Sequence, residues 1–381
     1  MNPGLHARLL AVKRRLLMRF GGGFDPYPEP PTDAALSPSA AHFVDYETAP
    51  LALSWRNCGM GDVAAWQAQA RAKLAALCGY TRQPNAVEVL HRTEVRSDPD
   101  YERRHFYLRV REGSDVPVTL LRPCNATGTL PVMICLQGTN SGAHLSWGEA
   151  RMPADPLRIA AGGDYARQAA QRGYAAVCIE QSAFGERRER TLSQASVDPC
   201  IDAANHALLL GRTLIGERAS DVSAAVDWLK AEATALSIDV ARTAVMGSSS
   251  GGSTAVMAAA LDPRIGAVLA SGCVGYIRET IGRRGHSSGQ NIVPGILEWL
   301  EYDDVLGLIA PRPLLVISGE SDHIWPYAGA ARVVESARQI YTALGVGDAI
   351  RAVAAPGGHR FYPDPAWRHF AALVDCDRAP T

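Results

Sequence analysis

The chain has 381 residues, 47% of them hydrophobic and 20% charged, enough to bury a sizeable core in one large α/β domain or two ordinary ones. A net charge of −1 gives no global field for nucleic acid or an anionic membrane. The eight cysteines contain no C-x-x-C pair and read as reduced, buried thiols rather than a disulfide frame or a zinc site.

Near the start, Leu5, Leu9, Val12, Leu16 and Phe20 fall at helical spacing among five basic residues. This predicts a helix that docks on its own domain or on a second subunit, giving a homo-oligomer; a membrane-surface helix is the other reading. Arg8, Lys13, Arg14, Arg15 and Arg19 interrupt any signal-peptide core, and no stretch has the apolar length of a membrane span, so a cytoplasmic protein is expected. Gly21, Gly22 and Gly23 end the helix, and the Pro-rich run 24–31 predicts an extended arm. Residues 1–61 are thus expected to form an N-terminal helix and arm, and 62–381 one α/β domain.

Within that domain, Val63, Trp66, Ala70, Leu74 and Leu77 mark an amphipathic helix closed by Gly79. Three β-like runs, 87–95, 105–111 and 116–121, separated by short polar turns, predict an antiparallel edge. From Pro131 the rhythm changes. Apolar strands are expected at 132–136, 174–179, 242–246, 267–270, 314–318 and 350–353, with helices at 165–172, 203–230 (broken near Gly211 or Gly216), 250–261, 327–344 and around 367–374. Such alternation implies a mostly parallel sheet covered by helices on both faces, with its chemistry in loops at the carboxyl ends of the strands. Insertions are expected near 181–216 and 275–300.

The junction of the 242–246 strand with the following helix reads Gly247-Ser248-Ser249-Ser250-Gly251, a G-x-S-x-G pattern. A nucleophile on so tight a turn has strained backbone angles, and glycine two positions to either side removes the collisions it would otherwise cause. Ser249 is the candidate nucleophile. The N–H of Ser250, at the helix N-terminus, is a candidate oxyanion donor. Its companion is expected in the loop after the first parallel strand, at Thr139 with Gly138 in reserve.

A serine hydroxyl needs a base, itself oriented by a third group. His359, in Gly357-Gly358-His359 after the last strand, best fits the base; His286, His323 and His369 also follow the elbow. Asp322, after the 314–318 strand, is the candidate acid, with Glu320 nearby and Asp303 or Asp304 more remote. The order Ser249, Asp322, His359 is the Ser, Asp, His order of α/β-hydrolases. Arg283, Arg284 and Trp299, in the second insertion, are candidate substrate-binding residues, the arginines for a carboxylate or polar sugar; a solvated charged face is the plainer reading.

With these residues placed, the chain resembles the α/β-hydrolase superfamily, in the dienelactone-hydrolase-like branch that includes acetyl-xylan-esterase-like proteins. The resemblance runs from about Trp66 to the C-terminus and rests on six runs. They are the elbow, 163–167 leading to 172–174, Phe184-Gly185-Glu186-Arg187, 310–315, 319–326 and 357–361. Two departures stand out: Gln137-Gly138 replaces the His-Gly pair common in the oxyanion loop, and the nucleophile is serine rather than the cysteine of true dienelactone hydrolases. The resemblance implies an α/β-hydrolase fold and a serine carboxylic-ester hydrolase acting on a small-acyl, acetyl-like ester of a small-molecule substrate. No cofactor and no metal are implied. Other bonds on the same scaffold (lactone, amide or peptide, carbon–carbon) and a non-catalytic binding role remain alternatives.

Overall fold

The computed structural model describes residues 31–58, 61–82, 87–284 and 288–376. The expected basic helix at 5–20, most of the Pro-rich arm and His286 lie outside the described residues. Two compact units divide the chain at 45/46; a helix at Pro38–Thr48 begins in the first. The second unit starts earlier than the sequence suggested, because residues 51–58 already belong to its fabric. Leu53 N–H donates to the Trp299 carbonyl, Ser54 Oγ–H to Asp304, and buried Trp55 packs edge-on against Trp66.

The second unit is built on one ten-stranded sheet. Its strands are β1 (Glu88–Arg92), β2 (Arg96–Ser97), β3 (Tyr101–Arg111), β4 (Ser114–Pro123), β5 (Leu130–Leu136), β6 (Ala175–Ile179), β7 (Ile238–Ser248), β8 (Ala267–Ser271), β9 (Leu314–Gly319) and β10 (Ile350–Ala355). Their spatial order is β1-β3-β4-β6-β5-β7-β8-β9-β10, with β2 on β3. Pairings are antiparallel from β1 to the β4–β6 contact and parallel from β6 to β10. The expected antiparallel edge is therefore present, longer than the sequence runs implied.

The continuous apolar strands are continuous because both faces are covered. Val132, Ile134 and Leu136 of β5 face one core with Val245, Leu314 and Val316. Met133 and Cys135 face the other, with Met246, Leu315 and Ile317. On the first face lie the helices Val63–Cys78, Leu214–Ala231, Ser250–Leu261 and Tyr327–Ala343; on the second, Tyr165–Ala170 and Pro363–Cys376. Asp62 caps the Val63–Cys78 helix by accepting from Ala64 and Ala65 N–H, and Gly79 at φ 61° closes it. The expected break in the 203–230 helix falls at Gly211, between Pro199–Leu209 and Leu214–Ala231. None of the seven cysteines whose side chains are described forms a disulfide. Among the described residues no helix is long and apolar enough to cross a membrane, and no cluster of His, Cys, Asp and Glu is arranged to hold a metal ion.

Candidate active site

Parallel register brings five strand ends level. Leu136 pairs with Gly247, Ser248 with Ser271, Ser271 with Ile317, and Gly319 with Ala355. The loops bearing Thr139, Ser249, Asp322 and His359 therefore leave the sheet at one edge, as expected for this architecture.

Ser249 sits at φ 55°, ψ −124°, between the end of β7 and the Ser250–Leu261 helix. A β-carbon on Gly251 would lie 2.2 Å from the Leu136 carbonyl oxygen, and one on Gly247 would lie 2.3 Å from the Gly251 backbone. Only hydrogen fits at either place, so the pattern's glycines are required by close backbone approach as well as by the turn. Ser249 N–H donates to the Ser271 carbonyl at 2.8 Å, which ties the elbow to the end of β8.

The next residue, Gly272, lies against the base. A β-carbon there would be 3.3 Å from the His359 ring and 3.4 Å from Asp322 Oδ2. His359 Nδ1 is 2.7 Å from Asp322 Oδ2. Asp322 Oδ1 accepts the N–H groups of Ile324 and Trp325 at 2.8 and 2.9 Å, which fixes the carboxyl plane. Burial raises the Asp322 pKa, but the His359 contact and the two N–H donors outweigh it and leave the carboxyl below its ordinary value. An ionised Asp322 accepts only, so Nδ1 carries the proton and Nε2 keeps a lone pair for the nucleophile side. No hydrogen bond joins Ser249 Oγ to His359 among the described residues; such contacts commonly tighten only in the substrate complex.

The two loops meet because Gly319 lets them. A β-carbon at 319 would stand 2.3 Å from the Gly357 carbonyl, and Glu320 and Ser321 N–H donate to the Ala355 and Gly357 carbonyls. Tyr362 OH–H donates to the Gly358 carbonyl at 2.6 Å and holds the histidine loop. Other candidates have other partners. Asp304 accepts from Ser54 and Trp55 and completes a capping box with Glu301, Asp303 takes Ser336 and Arg56, Glu320 is exposed, and His369 lies on the last helix. His323 is exposed, its ring 6.1 Å from that of His359.

The loop after β5 faces the elbow directly: a β-carbon on Gly138 would lie 2.9 Å from the Ser248 carbonyl and 3.2 Å from Ser249 Cβ. Gln137, the departure noted in the sequence, is a strut. Its Nε2 donates to Ser146 Oγ and the Gly163 carbonyl, its Oε1 accepts from Asn140, and its carbonyl accepts from Gln181. A second Asp–His pair, not anticipated, anchors the same loop. His144 Nε2 lies 2.9 Å from Asp155 Oδ2 and 3.3 Å from Ser141 Oγ. One ring nitrogen faces both partners, so this buried set cannot relay a proton between them as a triad does.

Of the three expected substrate-binding residues, two are exposed and Trp299 is half-buried. Arg283 is 41% exposed and pairs with Glu47 at 2.8 Å, Arg284 is exposed, and Trp299 lies under the Lys73 ammonium, 3.7 Å from its ring centre. The insertion reaches the elbow through Gln290, whose carbonyl oxygen accepts Ser250 Oγ–H at 2.7 Å. Sequence reasoning missed Gln290 and its partner Arg218.

Fold and strand-end loops together define an α/β-hydrolase. The family model of the Abhydrolase family matches residues 47–341, and the chain belongs to that family. A curated relative, "Putative hydrolase YtaP" from Bacillus subtilis (strain 168), is 25% identical over 300 residues, 77% of this chain and 94% of that protein. Among solved structures, a "putative acetyl xylan esterase" from Bacteroides fragilis NCTC 9343 superposes with a TM-score of 0.67 at 18% identity, covering 86% of this chain and 84% of the other. A glucuronoyl esterase from Solibacter usitatus gives 0.65 at 16% identity, with 87% and 97% covered. Another from Teredinibacter turnerae T7901 gives 0.61 at 19%, with 96% and 99% covered.

Proposed function

We propose that this chain is a serine carboxylic-ester hydrolase that works through an acyl-enzyme on a small-acyl, acetyl-like ester. The observation that carries the reading is the 2.7 Å His359–Asp322 pair packed on Gly272, one residue beyond the carbonyl that holds Ser249 in its strained turn. In this mechanism His359 Nε2 takes the Ser249 proton as Oγ attacks the ester carbonyl. The N–H groups of Ser250 and Thr139 receive the oxyanion, with Gly138 the alternative to Thr139. The imidazolium, stabilised by Asp322, protonates the leaving alcohol; His359 then activates water to release the acid. Removing one oxyanion donor typically costs about 10²–10³ in rate.

The ester class also draws support from the esterase names of the similar structures, and the small acyl group from the acetyl xylan esterase name alone, since a glucuronoyl ester carries a sugar-acid acyl group. Substrate selection is assigned to the 275–300 insertion, where Arg284 is exposed. The test is labelling with a serine-directed fluorophosphonate followed by peptide mapping, together with a panel of ester, amide and lactone substrates. Label on Ser249 and turnover of esters above amides and lactones is the expected outcome. Absence of label, or amide turnover exceeding ester turnover, would overturn the reading.

A further inference from the structure

Arg218, on the Leu214–Ala231 helix, is 1% exposed and stacks on Phe184 with its guanidinium carbon 4.4 Å from the ring centre. A buried guanidinium normally meets a carboxylate. Here every polar partner is neutral. Nε and Nη2 donate to the Ser182 carbonyl at 3.1 and 2.7 Å, Nη2 also to Cys200 Sγ at 3.4 Å, and Nη1 to Ser250 Oγ at 2.9 Å and Gln290 Oε1 at 3.1 Å. Among the described residues no carboxylate comes within ion-pair distance of it; Asp221, one turn along the helix, is paired with Arg187 at 2.6 Å.

This cation fixes the orientation of one amide. Arginine can only donate, so the Gln290 oxygen must face it, and that oxygen also takes the Ser250 hydroxyl proton at 2.7 Å. The Gln290 NH₂ is thereby turned to the opposite side, where it donates to Thr139 Oγ1 at 3.0 Å. One side chain thus spans the two residues whose N–H groups were singled out independently as oxyanion donors. Ser250 stands on the elbow helix and Thr139 on the loop after β5, and Thr139 is itself exposed. No direct hydrogen bond between those two residues holds them in register among the described residues.

We propose that Gln290, oriented by the buried Arg218, is the positioning residue of the oxyanion hole, setting the Thr139 loop against Ser250. The proposal rests on the serine-hydrolase reading above. Gln290 holds the two donors at the separation a tetrahedral oxyanion needs, and the unneutralised guanidinium behind Ser250 favours the negative charge that develops there. Because it acts on the transition state rather than on the bound ester, its removal should appear in kcat and not in KM.

The test is steady-state hydrolysis of p-nitrophenyl acetate by wild type, Gln290→Ala, Gln290→Glu, Arg218→Lys and Ser249→Ala, with thermal melting of each. Gln290→Ala is expected to lower kcat about 10- to 100-fold, with KM within about twofold and a cooperative melt at a modestly lower temperature, because Arg218 Nη1 loses one acceptor but keeps Ser250 Oγ. Gln290→Glu, which neutralises Arg218 and withdraws the donor to Thr139, should lose at least as much. Arg218→Lys keeps the charge and should fold and retain more kcat than Gln290→Glu. An unchanged kcat in folded Gln290→Ala, or a rise confined to KM, would overturn the proposal and make Gln290 a surface or substrate contact. Full activity in Ser249→Ala would instead overturn the serine-hydrolase reading, and this inference with it.

Discussion

Replacing Asp322 by asparagine removes one charge from the site while leaving its shape. Oδ1 is held by the Ile324 and Trp325 N–H groups, so the asparagine oxygen is expected to stay there. Its NH₂ then occupies the Oδ2 position, 2.7 Å from His359 Nδ1. A donor facing Nδ1 forces the imidazole proton onto Nε2, and the ring can no longer accept the Ser249 proton. The loss in kcat should be about 10⁴, on the order of 5 kcal/mol of transition-state stabilisation, with KM changed only a few-fold. The fold should persist at neutral pH because both backbone contacts survive. The pH dependence of stability supplies an internal check. Asp322 has a folded pKa below its unfolded value, so its contribution is present above the unfolded pKa and lost as pH falls through the folded one. The variant should lack that part of the acid destabilisation. Turnover of p-nitrophenyl acetate and melting at pH 3 to 8 measure both. Activity within tenfold of wild type would refute the assignment, and complete loss in Glu320→Gln instead would move the acid two residues back.

Three further outcomes follow from the same geometry. Gly251→Ala places a methyl 2.2 Å from the Leu136 carbonyl. It should cost about 1–3 kcal/mol by denaturant unfolding and depress kcat by shifting the oxyanion loop; a fully stable, fully active variant would contradict the packing. Glu180 is buried, and burial lifts its carboxyl from 4.5 to about 7. The native state therefore holds a proton that the unfolded chain has released, and stability should fall by on the order of 3 kcal/mol as pH rises across that window. Urea unfolding at pH 5 and 7.5 should show the fall in wild type and a smaller one in Glu180→Gln; equal falls would remove Glu180 as its source. Arg284→Ala should raise KM for anionic esters more than for neutral ones, and equal effects would take Arg284 out of substrate selection.

Much of the candidate site's framework was legible because local chemistry dictated it. The glycines flanking Ser249 are demanded by backbone contacts a few ångströms away, and the apolar runs flanking the loops are demanded by burial on both sheet faces. The glycine pair before His359 announced a loop free to fold back, and Gly319 proves to be the matching close approach. The contacts that escaped are long-range and polar. Gln290 gives no local signal, since its partners Thr139 and Ser250 lie 151 and 40 residues away in the chain. Arg218 did leave a trace: it shares the buried stripe of Val222, Ala225 and Leu229, so a basic residue stood at a core position of an amphipathic helix. The arginines at 283 and 284 drew attention by charge alone, and charge without periodicity does not report which way a loop side chain points. The 51–58 segment was read as arm because its anchors, Trp299 and Asp304, are supplied by residues some 250 positions later.

The central claim is that Ser249 is the nucleophile of an ester hydrolase, and hydrolysis of p-nitrophenyl acetate, butyrate and octanoate by wild type and Ser249→Ala tests it most directly. The account predicts turnover that falls with acyl length in wild type and is lost in the variant. Undiminished turnover in Ser249→Ala would contradict it, and so would a wild-type enzyme inert toward all three esters.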